Sequence, residues 1–226
     1  MSEVRLRSNP VVELVHSTGD DTTVAMAAKV SFDRHDDPRL GDEDHIRGLI
    51  NFLVNNKHHS TLEHCQFTFY IECPMFVRSE IMRHRTASYN EVSARYSTWD
   101  FEFHVPDAER PLVQVGKPGA YRFEEGSPEQ QAIALRAMER SYQQAIDSYD
   151  QMVEAGIAKE VARNTLPVGT YTKFYMSLNA RNLMHFLGLR LDPTATDEIR
   201  RVAQLMEAYL EERMPITYAA WKDSNA

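Results

Sequence analysis

Between Phe67 and Glu72 apolar and polar residues alternate without a break, with Phe67, Phe69 and Ile71 set against Thr68, Tyr70 and Glu72. A period of two sends successive side chains to opposite faces, so the segment is a half-buried strand that needs neighbours in a sheet. Pro74 ends it and sits where a following helix tolerates proline, which predicts a helix over Pro74 to Arg85. Val168 to Leu178 reads as a second long strand and Val11 to Val15 as a short one.

Elsewhere the period becomes helical. Asp20-Asp21-Thr22 caps a helix through Met26 and Ala28 toward Phe32, and Asp42 to Asn55 places Ile46, Leu49, Ile50 and Leu53 on one face. The longest helix runs from Pro128 to Ala155 and stops at Gly156. Two more are expected over Asn179 to Leu191 and Asp197 to Arg213, the latter ended by Pro215. Lys117 to Gly119 and Gly126 to Pro128 mark a loop. This order implies an α+β fold, a small, mainly antiparallel sheet wrapped by helices. With 226 residues, 42% of them hydrophobic, one core suffices, and residues 1–226 are expected to form a single domain.

The formal charge of −8 disfavours nucleic-acid binding, because it repels a polyanionic duplex. The opening Met-Ser-Glu-Val-Arg-Leu-Arg lacks the apolar core of a signal peptide and no run approaches a membrane span, so a soluble, cytoplasmic protein without membrane partners is expected. Cys65 and Cys73 share one strand-like segment, roughly 26 Å apart, too far for a mutual disulfide. They read as small buried hydrophobes, and Tyr96 and Trp99 as core or interface packing.

Against this acidic background, residues 78–95 hold Arg78, Arg83, Arg85 and Arg95 with only Glu80 and Glu91. Guanidinium forks bind phosphate oxygens in pairs, and Ser88, Ser93 and backbone N–H groups can complete an anion cradle. On a helix over Pro74 to Arg85, Glu80 and Arg83 lie on the face of Phe76, with Arg78 and Arg85 nearly opposite. The plainer alternative is a solvated helix end whose arginines answer the dipole of its last turn. On the later helix, Arg181 and His185 are four apart and can reach one ligand together. Arg190 falls in line with Leu183 and Phe186 and is drawn inward, where a charge needs a partner, either a ligand or a carboxylate.

Arg83-His84-Arg85 followed after seven residues by Ser93 resembles the signature of flavin-dependent thymidylate synthases. The likeness extends to His58-His59-Ser60-Thr61-Leu62-Glu63-His64, to Glu160-Val161-Ala162-Arg163 with Leu166-Pro167, and to Asn179-Ala180-Arg181 through Leu189-Arg190. The resemblance implies methylation of dUMP with methylene-tetrahydrofolate, FAD reduced by NADPH supplying the hydride and tetrahydrofolate leaving. It assigns Glu80, Arg83, Glu91, Val92, Ser93, Ala94, Arg95, Arg163 and Arg190 to dUMP, with Arg190 acting catalytically by favouring ionised uracil. It assigns His58, Ser60, Arg83, His84, Arg85, Glu91, Asn179, Arg181 and His185 to FAD. It also implies a homotetramer with sites shared between subunits. Glu80 stands where some relatives carry Gln, and His185 where some carry Asn. No protein nucleophile is expected, since neither cysteine has a cationic neighbour at a useful spacing and Ser93 lacks an assigned base. Of the rival readings, a metal hydrolase built on His58, His59, Glu63 and His64 lacks zinc-protease spacing, so no metal is expected. A non-catalytic nucleotide or RNA module conflicts with the acidic charge.

Overall fold

The alternating segment becomes a nine-residue strand, and the elements around it follow caps that the sequence spells out. The computed structural model describes residues 3–33, 36–95, 100–118 and 120–224; Tyr96, Trp99 and Gly119 lie outside the described residues. In chain order the elements are β1 (Arg5–Arg7), β2 (Val11–Thr18), α1 (Asp21–Lys29), α2 (Glu43–Asn55), β3 (Gln66–Pro74), α3 (Met75–Ile81), β4 (Ser88–Glu91) and β5 (Glu102–His104). There follow β6 (Val113–Lys117), β7 (Ala120–Glu124), α4 (Pro128–Glu154), α5 (Lys159–Ala162), β8 (Tyr171–Asn179), α6 (Ala180–Arg190), α7 (Asp197–Arg213) and α8 (Pro215–Ser224). The class is α+β as expected, and the main sheet, in the order β2-β3-β8-β4, is antiparallel.

The chain groups into two compact units that interleave in sequence. One comprises Met1–Pro10, Glu72–Ser79 and Glu91–Lys173, the other Val11–Ile71, Glu80–Asn90 and Phe174–Ala226. In the second unit, Phe67, Phe69 and Ile71 of β3 and Phe174, Met176 and Leu178 of β8 are buried, each at most 3% exposed. Helix α1 begins at a capping box between Asp20 and Thr23, and Asp42 caps α2 by accepting from the N–H groups of Asp44 and His45. Helix α8 packs on α2 and α1. Its N-terminus is held from outside by the buried Asp21, whose carboxylate accepts from the N–H groups of Ile216 and Thr217, both at 2.9 Å, and from the Thr217 hydroxyl at 2.6 Å.

In the first unit, Phe103, Val105, Tyr142 and Ile146 form a core, with Phe103 and Tyr142 stacked at 4.7 Å. The Tyr142 hydroxyl donates to the His104 carbonyl at 2.7 Å, so this buried ring keeps its polar tip satisfied. Helix α4 starts at a capping box between Ser127 and Gln130.

Several expected boundaries change. Helix α3 stops at Ile81 rather than Arg85, because tight turns take over: the Arg83 N–H donates to the Glu80 carbonyl and the His84 N–H to the Ile81 carbonyl. The helical-face argument for Arg83 and Arg85 therefore fails. Lys117, read as the start of a loop, instead ends β6, which pairs with β7 as an antiparallel hairpin and needs glycine at Gly116: φ is +102°, and a Cβ there would lie 2.5 Å from the Ala120 carbonyl oxygen. The strand expected from Val168 starts at Tyr171, since the Thr170 N–H turns back to the Pro167 carbonyl. Pro215 both ends α7 and opens α8, a helix with no counterpart in the sequence reading. The short pair β1–β5 is parallel.

Candidate active site

The second unit gathers two groups of predicted residues. The first surrounds the turn after α3. Arg190, in the last turn of α6 and with 21% of its side chain exposed, donates from Nε to His84 Nε2 at 3.0 Å and from one terminal nitrogen to the Glu80 carbonyl at 3.1 Å. Its other terminal nitrogen stands 3.8 Å from the Glu80 carboxylate. The inward course expected of Arg190 is therefore met by acceptors from one short turn. Tyr89 fixes that turn, its hydroxyl shared between the carbonyls of Ile81 at 3.0 Å and His84 at 2.9 Å.

His84 accepts from Arg190, so Nε2 carries no proton in this arrangement. Burial, then the positive charge of Arg190 and the neighbouring His185, lower its pKa from 6.5 to about 4. The sign is that of a depressed group: folded His84 stays neutral while the unfolded chain takes up a proton, so stability present above pH 6.5 is lost as pH falls toward about 4. His84→Gln, which cannot titrate, is expected to flatten Tm against pH across that interval. A wild-type slope in the variant would remove His84 as the cause.

The second group lines a cavity of about 1020 Å³. Asn179, Arg181 and His185 contribute to it, as do His59, Glu63, Thr86 and Trp221. Asn179 caps α6, accepting from the Asn182 N–H at 2.9 Å, and Arg181 and His185 follow on exposed faces of the first two turns, meeting in one cavity as their spacing predicts. Arg181 is ion-paired with Glu63. His58 and Ser60 are exposed outside this lining, with the His58 ring edge-on to Phe52 at 5.8 Å. Arg83 and Arg85 are also exposed and carry no ion pair among the described residues.

The first unit holds the remaining predicted positions. Glu91 ends β4 with its carboxylate fully engaged: Arg78 approaches at 3.0 and 2.9 Å, and the Thr172 hydroxyl donates at 2.7 Å. The loop then leaves the sheet, its Val92 N–H donating to the Lys173 carbonyl at 2.9 Å. Beyond Ala94, the Arg95 N–H donates to Ser93 Oγ at 3.3 Å, and the Arg95 side chain pairs with Glu160 at 2.9 Å. That pair joins the loop to the segment carrying Arg163, which is exposed. Sequence reasoning misses Arg78 and Thr172 as partners of Glu91, Tyr89 as the clamp of the turn, and Thr196, whose hydroxyl reaches Glu80. Only the presence of Arg78 and Glu91 together in the arginine window hints at any of them.

Both cysteines are buried and free. Burial pushes the Cys65 thiol up to about 12, and burial with the negative charge of Glu91 pushes Cys73 higher still, so neither forms a thiolate near neutrality. Replacing both with Ala is expected to leave turnover largely intact, and loss of turnover with normal folding would sink that expectation. Among the described residues no cluster of three or more His, Cys, Asp or Glu is arranged to hold a metal, and no helix is long and apolar enough to cross a membrane.

Comparison with known proteins gives a family match. Residues 13–216 match the model of the thymidylate synthase complementing protein family. The flavin-dependent thymidylate synthase of Streptomyces coelicolor is 45% identical over 97% of this chain and 93% of its own, and that of Tropheryma whipplei is 41% identical over 95% and 93%. Among solved structures, the UMP/dUMP methylase PolB of Streptomyces cacaoi, bound with 5-Br UMP, is similar with a TM-score of 0.90, 41% identity and coverage of 98% of this chain and 97% of that one. The chain belongs to the flavin-dependent thymidylate synthase family and is an enzyme of that kind.

Proposed function

We propose that the chain converts dUMP to dTMP by reductive methylation, taking carbon from methylene-tetrahydrofolate and releasing tetrahydrofolate, with FAD as cofactor and NADPH as reductant. The observation that carries this reading is the meeting of Asn179, Arg181 and His185 in one cavity with His59 and Glu63. The first three are the residues that the family likeness assigns to flavin, and the last two come from the segment that it assigns to the same ligand. A volume of about 1020 Å³ suits a large cofactor, and Arg181 in its lining, with the exposed Arg83 and Arg85 just before the lining residue Thr86 in sequence, suits its phosphates, so the residues fit FAD. Bound flavin supplies hydride chemistry that no side chain of the protein can perform.

The protein's own contribution is binding and polarisation. Arg190 and Glu80, with Arg83, hold the uracil and sugar end of dUMP, and Arg190 favours the ionised ring. Val92, Ser93, Ala94 and Arg95 form the phosphate loop, completed by Arg163. Glu91, clamped by Arg78 and Thr172, fixes where that loop begins. His58, Ser60 and His84 join the flavin side. Residues 1–226 act as a single domain within a cytoplasmic homotetramer whose sites draw on several subunits, with exposed Arg83, Arg85 and Arg163 placed where a ligand or another subunit can reach them.

The test is dTMP formation from dUMP and methylene-tetrahydrofolate, with and without added FAD and NADPH. Activity that needs all of them supports the reading. Flavin binding without dUMP-dependent NADPH oxidation would overturn it.

A further inference from the structure

Thr196 occupies the N-cap position of α7 but makes no capping hydrogen bond. A threonine there ordinarily accepts from an N–H of the first turn of its helix. Here its hydroxyl points instead to the Glu80 carboxylate, 3.1 Å from one oxygen and 3.2 Å from the other. The helix start is left to Asp197 and Glu198, which answer the dipole.

The diversion has a geometric result at Arg190. Two of its three guanidinium nitrogens make hydrogen bonds of 3.0 and 3.1 Å to His84 and the Glu80 carbonyl, while the third faces the Glu80 carboxylate at 3.8 Å, beyond hydrogen-bond reach. An arginine beside a carboxylate ordinarily closes to a short, charge-assisted pair. This one does not close, and the group that holds both carboxylate oxygens instead is Thr196.

We propose that Thr196 is a positioning residue that holds the Glu80 carboxylate off Arg190, keeping one guanidinium nitrogen open to an acceptor of the bound pyrimidine nucleotide. The inference rests on the functional reading above and adds a residue to it. The charged and titratable groups around the arrangement include Glu80, His84, His185 and Arg190, with Arg83 and Arg85 on the adjoining turn and Asp197 and Glu198 directly after Thr196 on α7. Without the hydroxyl, Glu80 swings onto Arg190 and competes with substrate, so the cost falls on nucleotide binding.

The experiment measures dUMP affinity by calorimetry, KM and kcat for dTMP formation, and Tm, on the full chain with its flavin. Thr196→Val is expected to raise the dUMP Kd and KM about five- to tenfold, with little change in kcat and Tm. Thr196→Ser should restore affinity. In a Glu80→Gln background, Thr196→Val should cost no further affinity, because a neutral amide has no charge to close onto Arg190. A capping role would instead lower Tm and be indifferent to Glu80. Wild-type affinity in Thr196→Val, no recovery in Thr196→Ser, or the same loss in the Glu80→Gln background would each overturn the inference while leaving the functional reading standing. A wild-type enzyme that neither binds nor methylates dUMP would overturn the functional reading, and this inference with it.

Discussion

Arg190→Lys is expected to lower kcat/KM for dTMP formation by roughly 100- to 1000-fold while the fold survives. Lysine keeps the charge but loses the fork, and the fork is what the structure uses: Nε on His84 and a terminal nitrogen on the Glu80 carbonyl fix the guanidinium plane. A single ammonium cannot satisfy both acceptors and also present a donor in a fixed direction. An aimed donor removed from a developing negative charge costs about 3–4 kcal/mol, which sets the size of the effect. Steady-state kinetics with a separate measurement of the dUMP Kd provides the check. A drop confined to Kd would make Arg190 a binding group, and activity within tenfold of wild type would remove it from the chemistry.

Asp21→Ala is expected to cost about 3 kcal/mol of stability, the largest effect among changes remote from the site. Asp21 is 7% exposed, and its carboxylate satisfies two helix N–H groups and the hydroxyl of Thr217, a fully buried residue. Alanine leaves three buried donors without an acceptor and removes a negative charge from the start of α8. For a chain of this length that corresponds to a fall in Tm of roughly 6–12 °C. Asp21→Asn keeps one acceptor oxygen and should lose less. Thermal denaturation of both variants decides it, and an unchanged Tm in Asp21→Ala would show that α8 is held by packing alone.

The sequence was most legible where local chemistry decides. Asp20, Asp42, Ser127 and Asn179 cap helices close to where their residue types place them, and β3 follows its own alternation. It was least legible where a distant partner decides. The helical pattern carries on past Ile81, yet the Tyr89 hydroxyl accommodates the carbonyls of a tight turn there, and no periodicity encodes that. The hairpin β6–β7 escapes because β7 is exposed throughout and so has no buried face to impose alternation. Thr196 looks like a capping residue, and only the folded chain reveals its partner 116 positions away. The meeting of Arg181 and His185 in one cavity was legible through their spacing on α6. The ligands proposed for them and for the arginine window came from family likeness alone, and the contacts that aim Arg190 were not legible at all.

The attachment of α8 to Asp21 also sets an order of events during synthesis. Asp21 leaves the ribosome 195 residues before Ile216, its first donor, an interval of roughly 10–40 s at ordinary elongation rates. Throughout that time the carboxylate lacks its α8 partners, and once α2 is made its apolar face has no α8 to cover it. The nascent chain therefore carries Ile46, Ile50, Leu53 and Val54 without their final cover for most of its own translation, a natural place for a chaperone to bind and for aggregation to begin when translation stalls.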